Sequence, residues 1–590
     1  MFASRFHNAR NQMGVQSRIC TNRTAASSAM LVALFSILPL SACRPSASTP
    51  TVPYLRVTIP VLVTATEGEH CRIPPGTIGR LSETRGDKVF VVFEKGSGWI
   101  DTTATQMGQL VAQDVVGFPL VPFPAKFAGP ALASKMAGRL VIPCSTNHGQ
   151  YMLVDGLADP VFEEIVDHSG VFSPDGTRFA YIARKNGKEL LVCDGKVGRE
   201  YDIVVKNSIR FSRDGKHFAY VAQRGNKQLV VLDEVEGPEY DAIASDTLVL
   251  TADGKRFAYA ARMANQWIIV LEGKPGPKYD EVSQLTFSPD GQQFAYVVKQ
   301  RGESFVVLND QPGPRFRNIV PNSLIFTPDG KRFAYIAEDQ DGLQAVVLDG
   351  EIGDKFSWIS DLTFSPDGTH YAYRGVKTHR DRGALREKHL VVTDNKPGQE
   401  FDWIQDGSVL FAANGRLAYA VRDGSKMAVV VDGVPGPYFD RIIEKTLLFS
   451  DDGHRLAYVA QKGKGALRKE QLVLDHAPGP EFNSIHKDSI HFSSDGKLIA
   501  YVGRKNSEDV LMLNAKPLVK GSMIHLLGFV RGTSRVAYVE LQLNKYRLVV
   551  GGQVGPALDA ILVDTCLFRR DTSLSYYAVN HGQLYHMLHF

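Results

Sequence analysis

The chain has 590 residues, of which 44% are hydrophobic and 22% are charged, and its formal net charge is +4. This is the composition of an ordinary globular protein, and the length predicts several domains. A charge so close to neutral excludes the strong positive field of a general nucleic-acid-binding protein, so no nucleic-acid partner is expected.

Residues 1–43 have the pattern of a targeting segment. An apolar run at 29–38 is too short for an ordinary membrane span and is followed by Leu40-Ser-Ala-Cys43. This ending resembles the lipobox of bacterial lipoproteins, in which the cysteine carries the lipid. The alternative is an ordinary secretory signal in which Cys43 is incidental, and Met13 is an alternative start. The run follows a long basic region, which contains Arg5, Arg10, Arg18 and Arg23.

The resemblance to lipoproteins implies a cellular localisation. We expect a bacterial cell-envelope protein, lipid-anchored at the periplasmic face of the outer membrane or at the cell surface, because Arg44 rather than Asp follows the cysteine. Residues 44–60 are rich in Pro, Ser and Thr and are expected to form a tether. No later segment is long and apolar enough to span a bilayer, so no transmembrane helix is expected in the mature chain.

A second, non-repeating unit is predicted at 54–115. Short strands are expected at 54–59, 76–81, 88–93 and 98–101, separated by Gly turns. The unit is similar to a bacterial SH3-like barrel, in which a late Gly-Trp pair such as Gly98-Trp99 is common. The alternative is a small β-domain that packs on the entrance of the unit that follows. Residues 116–137 contain four prolines and are predicted to be a linker.

The rest of the chain is built from copies of one stretch, Phe172-Ser-Pro-Asp-Gly-Thr-Arg-Phe-Ala-Tyr-Ile-Ala183. Successive copies start about 37 to 47 residues apart, a period typical of solenoids, propellers and arrays. Nine copies are clear, and two further copies, at Phe529 and Phe568, are degenerate. The clear copies start at Phe172, Phe211, Leu250, Phe287, Phe326, Phe364, Phe411, Phe449 and Phe492.

Each copy is predicted to form four strands. In the first full copy these are 170–173, 178–183, 190–193 and 201–205, with a Pro-Asp-Gly turn after the first strand. Short strands rich in aromatic and β-branched residues, separated by Gly turns, favour a β-meander and not a βαβ unit. Stacking such meanders radially buries both of their faces, which is the β-propeller architecture.

The repeated [FL]-[ST]-x-[DN]-G-x-x-[FL]-A-Y pattern resembles the WD40-like, PD40-type repeats of TolB-like propellers. It lacks the Gly-His and Trp-Asp pairs of true WD40 repeats. The resemblance covers residues 138–590 and implies an all-β fold of tandem propeller blades. It says little about function, because the family includes binding platforms and the propeller halves of some peptidases.

About twelve blades are expected, which exceeds the usual four to eight in one ring. The preferred interpretation is two six-bladed propellers, at 138–358 and 359–590. One oversized ring or an unequal split stays open. The first repeat lacks its first strand and the last repeat lacks its fourth, as a ring-closing exchange between the chain termini requires.

Three sets of side chains are candidates for function. The carboxylates of the Asp-Gly turns, such as Asp175, Asp214, Asp290, Asp329 and Asp367, are interpreted as turn residues because each stands alone. Basic loops between the second and third strands are candidate contacts for an anionic partner, with a solvated face as the favoured alternative. Two of these loops are lengthened and share Gly-Ala-Leu-Arg, and their candidate residues are Arg382, Arg386, Lys464 and Arg468.

The third set is expected to ring the mouth of the central channel, where the loops enter the first strands. Such Asp or Asn residues beside Ser or Thr either bind a small polar ligand or satisfy backbone N–H groups. The candidates are Asn207, Asp246, Asn322, Asp361, Asp406 and Asp488. The aromatic residues near the fourth strands, such as Tyr201, are expected to pack between blades.

The six cysteines show no C-x-x-C spacing, and no metal, cofactor or catalytic motif is recognised. The preferred function is therefore a non-catalytic, lipid-anchored platform that binds a protein or an envelope component. One alternative is a carbohydrate-binding, hydrolase or lyase site in the channel mouth, which needs no sequence motif. Another is a structural envelope protein that self-assembles.

Overall fold

The structure is a computed structural model. Before residue 131 it describes eight strands between residues 51 and 122, the side chain of Leu120, and Ala128. After that it describes residues 131–590 except 135, 382, 383, 570 and 571, and not the side chains of 380, 381, 384 and 466. The predicted signal segment, Cys43 and Met13 lie outside the described residues, as does the tether before Thr51.

The N-terminal strands form one antiparallel sheet, whose order is β3-β2-β6-β5-β4-β1-β7-β8. The SH3-like character of this unit stays a prediction, because only the backbone of these strands is described. The strands are β1 Thr51–Val57, β2 Val61–Ala65, β3 His70–Ile73, β4 Ile78–Arg85, β5 Lys88–Val92, β6 Gly96–Asp101, β7 Thr105–Ala112 and β8 Val115–Pro122.

The remaining strands form twelve antiparallel blades in which chain order is also spatial order. The first four blades comprise β9 Leu132–Ser134, β10 Arg139–Thr146, β11 Gly149–Val154 and β12 Leu157–Ala158; β13 Glu164–Ile165, β14 Val171–Phe172, β15 Phe179–Lys185, β16 Lys188–Cys193 and β17 Lys196–Tyr201; β18 Ile203–Val204, β19 Arg210–Phe211, β20 Phe218–Arg224, β21 Lys227–Leu232 and β22 Val235–Tyr240; and β23 Ala242–Leu250, β24 Phe257–Met263, β25 Gln266–Leu271 and β26 Lys274–Tyr279.

Blades 5 to 8 repeat this arrangement. They comprise β27 Glu281–Phe287, β28 Phe294–Gln300, β29 Glu303–Leu308 and β30 Gln311–Pro312; β31 Asn318–Ile319, β32 Ile325–Phe326, β33 Phe333–Glu338, β34 Gln344–Leu348 and β35 Glu351–Phe356; β36 Trp358–Phe364, β37 Tyr371–Asp381, β38 Ala384–Thr393 and β39 Lys396–Pro397; and β40 Trp403–Ile404, β41 Leu410–Phe411, β42 Leu417–Asp423, β43 Lys426–Val431 and β44 Val434–Pro435.

Blades 9 to 12 include two short 3₁₀ turns, Gly465–Leu467 and Lys487–Ser489. Their strands are β45 Arg441–Ile442, β46 Leu448–Phe449, β47 Leu456–Lys462, β48 Lys469–Leu474 and β49 Ala477–Phe482; β50 Ser484–Ile485, β51 His491–Phe492, β52 Ile499–Lys505, β53 Glu508–Leu513 and β54 Lys516–Gly521; β55 Ile524–Phe529, β56 Val536–Gln542, β57 Lys545–Val550 and β58 Gln553–Val554; and β59 Ala560–Phe568, β60 Leu574–Asn580 and β61 Gln583–His589.

The predicted position of the fourth strand is wrong. Residues 201–205 do not form one strand: Tyr201 ends the outer strand β17 of blade 2, whereas Ile203 and Val204 begin the inner strand of blade 3 and pair with β20. The chain turns sharply at Asp202 to pass from one blade to the next. The outer strand lies instead over residues 196–201.

The twelve blades follow one another around a single ring. Each hydrophobic cluster is shared by two neighbouring blades, as where Ile182 of blade 2 packs with Tyr220 of blade 3. Blade 6 packs on blade 7, with Ile336 beside Tyr373, and blade 12 packs on blade 1, with Val579 beside Ile142. These last two contacts support the single oversized ring that the sequence left open, in place of a division near residue 358.

The ring is closed by the N-terminal strand β8. Val115–Pro122 pairs with β61 and supplies the fourth, outermost strand of blade 12. The predicted linker over 116–137 is therefore wrong at its start. The exchange between termini is confirmed at the last blade, whereas blade 1 has a first strand of its own, β9.

The ring has two faces with different turns. We call the end that carries the turns between second and third strands the upper face, and the opposite end, which carries the Asp-Gly turns, the lower face. Because each blade is an antiparallel meander, the connection from one blade to the next also lies at the upper face. Among the residues described, no helix is long and apolar enough to cross a membrane.

Candidate functional site

The Asp-Gly turns of the lower face are structural. In blade 3 the Asp214 carboxylate accepts hydrogen bonds from Ser212 Oγ at 2.7 Å and from the Lys216 N–H at 3.1 Å. Gly215 has a positive φ of 69°, and a Cβ there would lie 2.6 Å from the Asp175 carboxylate of the neighbouring blade. The interpretation of these carboxylates as turn residues is thus supported.

The other turn carboxylates behave alike. Hydrogen bonds from Thr327 Oγ1 and the Lys331 N–H lower the pKa of Asp329 to about 2. The same type of hydrogen bonding, from Ser365 and Thr369, lowers the pKa of Asp367 to about 2. Such groups are fixed anions at neutral pH. No group of three or more His, Cys, Asp or Glu side chains suited to a metal is found in the described part of the chain.

The Ser and Thr residues of the predicted motif lie within the inner strands, not at their entry, and they also serve the backbone. Ser208 is fully buried; its Oγ donates a 2.6 Å hydrogen bond to the Val205 carbonyl and accepts a 2.9 Å hydrogen bond from the Val221 N–H. The same pair of bonds recurs at Thr247, Ser323, Ser408, Thr446, Ser489 and Thr565. The Ser or Thr of the predicted motif therefore joins the inner strand to the second strand by hydrogen bonds.

The Asp and Asn side chains beside these residues lie around the inner rim of the ring. Asn207, Asp246, Asn322, Asp406 and Asp488 are exposed. Asn207 and Asn322 have positive φ values of 66° and 58°, a conformation that Asn tolerates better than most residues. Their conformation alone accounts for the choice of Asn at these two positions.

The carboxylates of the inner rim are spread over the ring. Asp246 and Asp488 belong to blades 4 and 10, which are six blades apart and so lie opposite each other. A spacing of about 10 Å between packed sheets, taken around twelve blades, puts opposite inner strands on the order of 40 Å apart. Two carboxylates that act on one glycosidic bond lie within about 10 Å of each other, so this pair does not form such a site.

Two of the candidate residues, Asp361 and Asp406, do come together around Arg374. They lie at the inner end of the interface between blades 7 and 8. Arg374 is almost fully buried and makes an ion pair with Asp406, a 2.7 Å hydrogen bond to the Ile404 carbonyl and a 2.9 Å bond to Ser360 Oγ. Asp361 lies 3.7 Å from Arg374 Nε and accepts a 3.2 Å hydrogen bond from the Gly407 N–H.

Arg374 is the residue of this cluster that sequence reasoning missed. The corresponding position is apolar in most other blades, for example Ile182 and Val221, which belong to the cores between blades. The break in the repeated Phe-Ala-Tyr pattern at Tyr371-Ala-Tyr-Arg374 was the available signal. Burial raises the pKa of Asp361, whereas the nearby Arg374 charge opposes that rise. The cluster joins two blades and neutralises two of the carboxylates that the catalytic alternative requires.

The basic residues of the upper face are largely paired. Arg184 lies 3.0 Å from Glu189, Arg224 lies 2.8 Å from Glu236, and Arg504 lies 3.0 Å from Asp509. For these turns the solvated, internally paired interpretation is favoured over a site for an anionic partner.

The two lengthened turns differ from the rest. In blade 7, β37 and β38 have eleven and ten residues and form a long hairpin that includes Arg386. In blade 9 the turn contains the 3₁₀ segment Gly465–Leu467 between Lys464 and Arg468. Arg386, Lys464 and Arg468 are all exposed, and neither Lys464 nor Arg468 has an ion pair within the described part of the chain. Arg382 lies outside the described residues.

The aromatic residues at the ends of the outer strands pack between blades, as predicted. Tyr201 contacts Tyr220 of the next blade edge-to-face, with ring centroids 6.2 Å apart. Phe316 and Tyr335, and Phe482 and Tyr501, repeat this geometry. Cys144 and Cys193 are buried and Cys566 is partly buried, and all three are free thiols.

Two clefts lie away from the inner-rim carboxylates. One, of about 250 Å³, lies among Arg416, His454, Asp475 and His476. The other, of about 230 Å³, is lined by residues of blade 6 that include Arg315, Arg317 and Lys355.

No protein-family model matches the sequence, and no curated protein does. Solved structures that resemble the chain include β-propellers. TolB from Acinetobacter baumannii is 18% identical over 46% of this chain and 77% of its own, with a TM-score of 0.19. The β-propeller domain of the Trilobed protease from Pyrococcus furiosus is 13% identical over 52% of this chain and 96% of its own, with a TM-score of 0.22. A eukaryotic initiation factor is 14% identical over 58% and 95%, with a TM-score of 0.32. These likenesses concern the fold alone.

Proposed function

We propose that this protein is a non-catalytic, lipid-anchored envelope protein whose β-propeller is a binding platform for a protein or a cell-envelope component. The observation that carries the proposal is the pair of lengthened turns on the upper face. Both contain Gly-Ala-Leu-Arg, at 383–386 and 465–468, and both present an exposed leucine and an exposed arginine. They lie in blades 7 and 9, on either side of blade 8.

The fold itself does not require these two turns. Blades 2 and 3 join their second and third strands through two-residue turns, at 186–187 and 225–226, and pack as well as blades 7 and 9. The exposed leucines of the longer turns add no burial to the ring. Loops that a rigid scaffold presents in this way are where binding residues concentrate, so the repeated Leu-Arg pair is assigned to partner contact.

The proposed lipid anchor and the proposed envelope localisation are inferred from the sequence. The basic region, apolar run and Leu40-Ser-Ala-Cys43 stand in the order of a lipoprotein signal. We expect Cys43→Ser to abolish incorporation of labelled palmitate. Unchanged labelling of this variant would contradict the anchor and would leave the platform untouched.

Binding is tested by affinity capture of solubilised envelope components with the full chain. Arg386→Glu combined with Arg468→Glu should remove the captured components, because it reverses the charge at both turns. The matched control is Lys216→Glu combined with Lys497→Glu, two exposed cations of the lower face, and it should retain them. Capture that is equal for both double variants, or that yields no reproducible component, would refute the platform at this face.

A further inference from the structure

Three hairpins present a leucine to solvent at the upper face. Leu385 in blade 7, Leu467 in blade 9 and Leu543 in blade 11 are 69%, 82% and 91% exposed. In blades 2 and 10 the corresponding turns hold the polar residues Asn186 and Asn506. Exposed single leucines are common on proteins, but Leu467 and Leu543 lie in turns, where polar residues are the ordinary choice, and Leu385 lies near the end of a hairpin, opposite Arg380.

Leu543 is the most informative of the three. Its φ is +52°, in the left-handed region, where Asn186 and Asn506 have φ values of 53° and 58°. A bulky side chain in that region is unusual and costs conformational energy. Since Leu543 gains no burial within the chain, neither the local backbone nor the core explains it.

Aromatic and basic side chains accompany these leucines on the same face. Trp358, 51% exposed, begins the inner strand of blade 7, and Tyr438, 46% exposed, is near the end of the outer strand of blade 8. Lys464 and Arg468 flank Leu467 and are exposed. Exposed Trp, Tyr and Leu together with Lys and Arg are the composition of surfaces that lie in the interface of a membrane.

The arrangement favours a flat partner. The leucines belong to separate hairpins on blades 7, 9 and 11, so they form no single apolar patch of the kind that forms the core of a protein–protein interface. A bilayer, being a continuous plane, contacts separate tips at the same time. Cations near Leu467 favour a bilayer with anionic headgroups, because each Lys or Arg near such a surface adds attraction.

We propose that the upper face docks on the surface of an anionic lipid bilayer, with Leu385, Leu467 and Leu543 entering the headgroup region and Lys464 and Arg468 at the lipid phosphates. The proposal rests on the proposed function and names the envelope component that the platform binds.

The experiment is flotation of the full chain, carrying Cys43→Ser so that no attached lipid contributes, with vesicles of two compositions. One is phosphatidylcholine alone and the other contains one quarter phosphatidylglycerol. We expect preferential binding to the anionic vesicles and loss of that preference in high salt. Any contribution of the N-terminal segment is common to all variants, so differences between variants report the upper face.

Substitutions then locate the contact. Leu467→Asp and Leu543→Asp should each lower the partition coefficient about tenfold, the effect of losing one partly buried leucine. The matched controls are Val235→Asp and Val434→Asp, which alter valines that are 71% and 67% exposed after the turns of the lower face, and which should bind as the parent does. Lys464→Gln with Arg468→Gln should lower binding to anionic vesicles only. This double variant changes no apolar residue, so it still tests the proposal if an aspartate variant fails to fold.

The outcomes separate the two proposals. Binding to native envelope fragments without binding to either vesicle would overturn the lipid proposal and would leave a protein partner for the platform. Binding to neither would overturn both. Equal losses from upper-face and lower-face variants would also overturn the lipid proposal.

Discussion

The Tyr577 hydroxyl of the last blade donates a 3.0 Å hydrogen bond to the Asp155 carboxylate of the first blade. These residues are 422 positions apart in the chain, and both are buried. Asp155 also pairs with Arg139 at 2.7 Å and accepts a 2.9 Å hydrogen bond from the Leu140 N–H. A polar network, and not apolar packing alone, thus joins the two ends of the ring.

Tyr577→Phe should weaken ring closure. The variant removes one buried hydrogen bond to a carboxylate, at a cost of about 1–3 kcal/mol in the free energy of unfolding. A urea titration followed by circular dichroism measures the change. The control is Tyr335→Phe, because no group in the described part of the chain accepts a hydrogen bond from that buried hydroxyl. Equal losses in the two variants would contradict the role assigned to Tyr577.

Arg374→Val should destabilise the ring because it leaves the Asp361 charge buried without its partner, at a cost of about 3 kcal/mol. Blade 5 shows how to repair the loss. It has the same short inner strand, with Val297 in the place of Arg374 and Gln284, also at positive φ, in the place of Asp361.

The double variant Arg374→Val, Asp361→Gln should therefore regain most of the lost stability, as thermal unfolding of the three proteins would show. A double variant less stable than Arg374→Val alone would mean that the charges do more than join two blades.

Ser323→Ala should cost about 1–3 kcal/mol, because it leaves the buried Ile336 N–H without its 3.1 Å acceptor. Ser323→Thr is the matched control and should be tolerated, since Thr247 makes the same two bonds in blade 4. Hydrogen exchange of the Ile336 amide offers a local measurement: protection should fall in the alanine variant and persist in the threonine variant.

Asp159 should make the stability fall as pH rises. Burial raises the pKa of its carboxyl from 3.8 to about 6, although the Tyr181 hydroxyl, which donates to it at 3.1 Å, opposes the rise. The folded state therefore favours the protonated form; the stabilisation is fully present below pH 4 and is lost as pH rises through 6.

Asp159→Asn should flatten the dependence of the urea midpoint between pH 4 and 6 and should raise the midpoint at pH 7. Asp329→Asn should act in the opposite sense at pH 7, because the pKa of Asp329 is lowered to about 2 and its stabilisation is present above pH 4. An unchanged pH profile in Asp159→Asn would exclude Asp159 as its source.

The sequence predicted what depends on neighbouring residues. The Ser-x-Asp-Gly turns were recognisable because Ser212, Asp214 and Gly215 satisfy one another locally. The outer strand at 196–201 was misread because Gly198 and its flanking residues have the composition of a turn. A Cβ at Gly198 would meet the Leu191 carbonyl at 2.9 Å, so glycine there serves a strand bulge.

The number of blades in a ring was beyond local prediction. It depends on the small angle between neighbouring sheets, summed over all the interfaces, and no single residue sets that angle.

The inner-rim site was predictable in part. The roles of serine and threonine follow from known backbone bonding, whereas the Arg374–Asp406 pair joins two blades across 32 positions. The exposure of Leu543 needed the structure, because sequence alone does not separate a turn leucine from a core leucine.

The closing strand has a consequence for how the molecule is made. Val115–Pro122 is synthesised long before its partner Gln583–His589. At a synthesis rate of about 5–20 residues per second, the early strand waits on the order of a minute for that partner. During this time its edge, and that of the incomplete ring, are open to wrong pairing. A nascent chain of this design depends on chaperones, or on export before folding, more than a protein whose blades close one at a time.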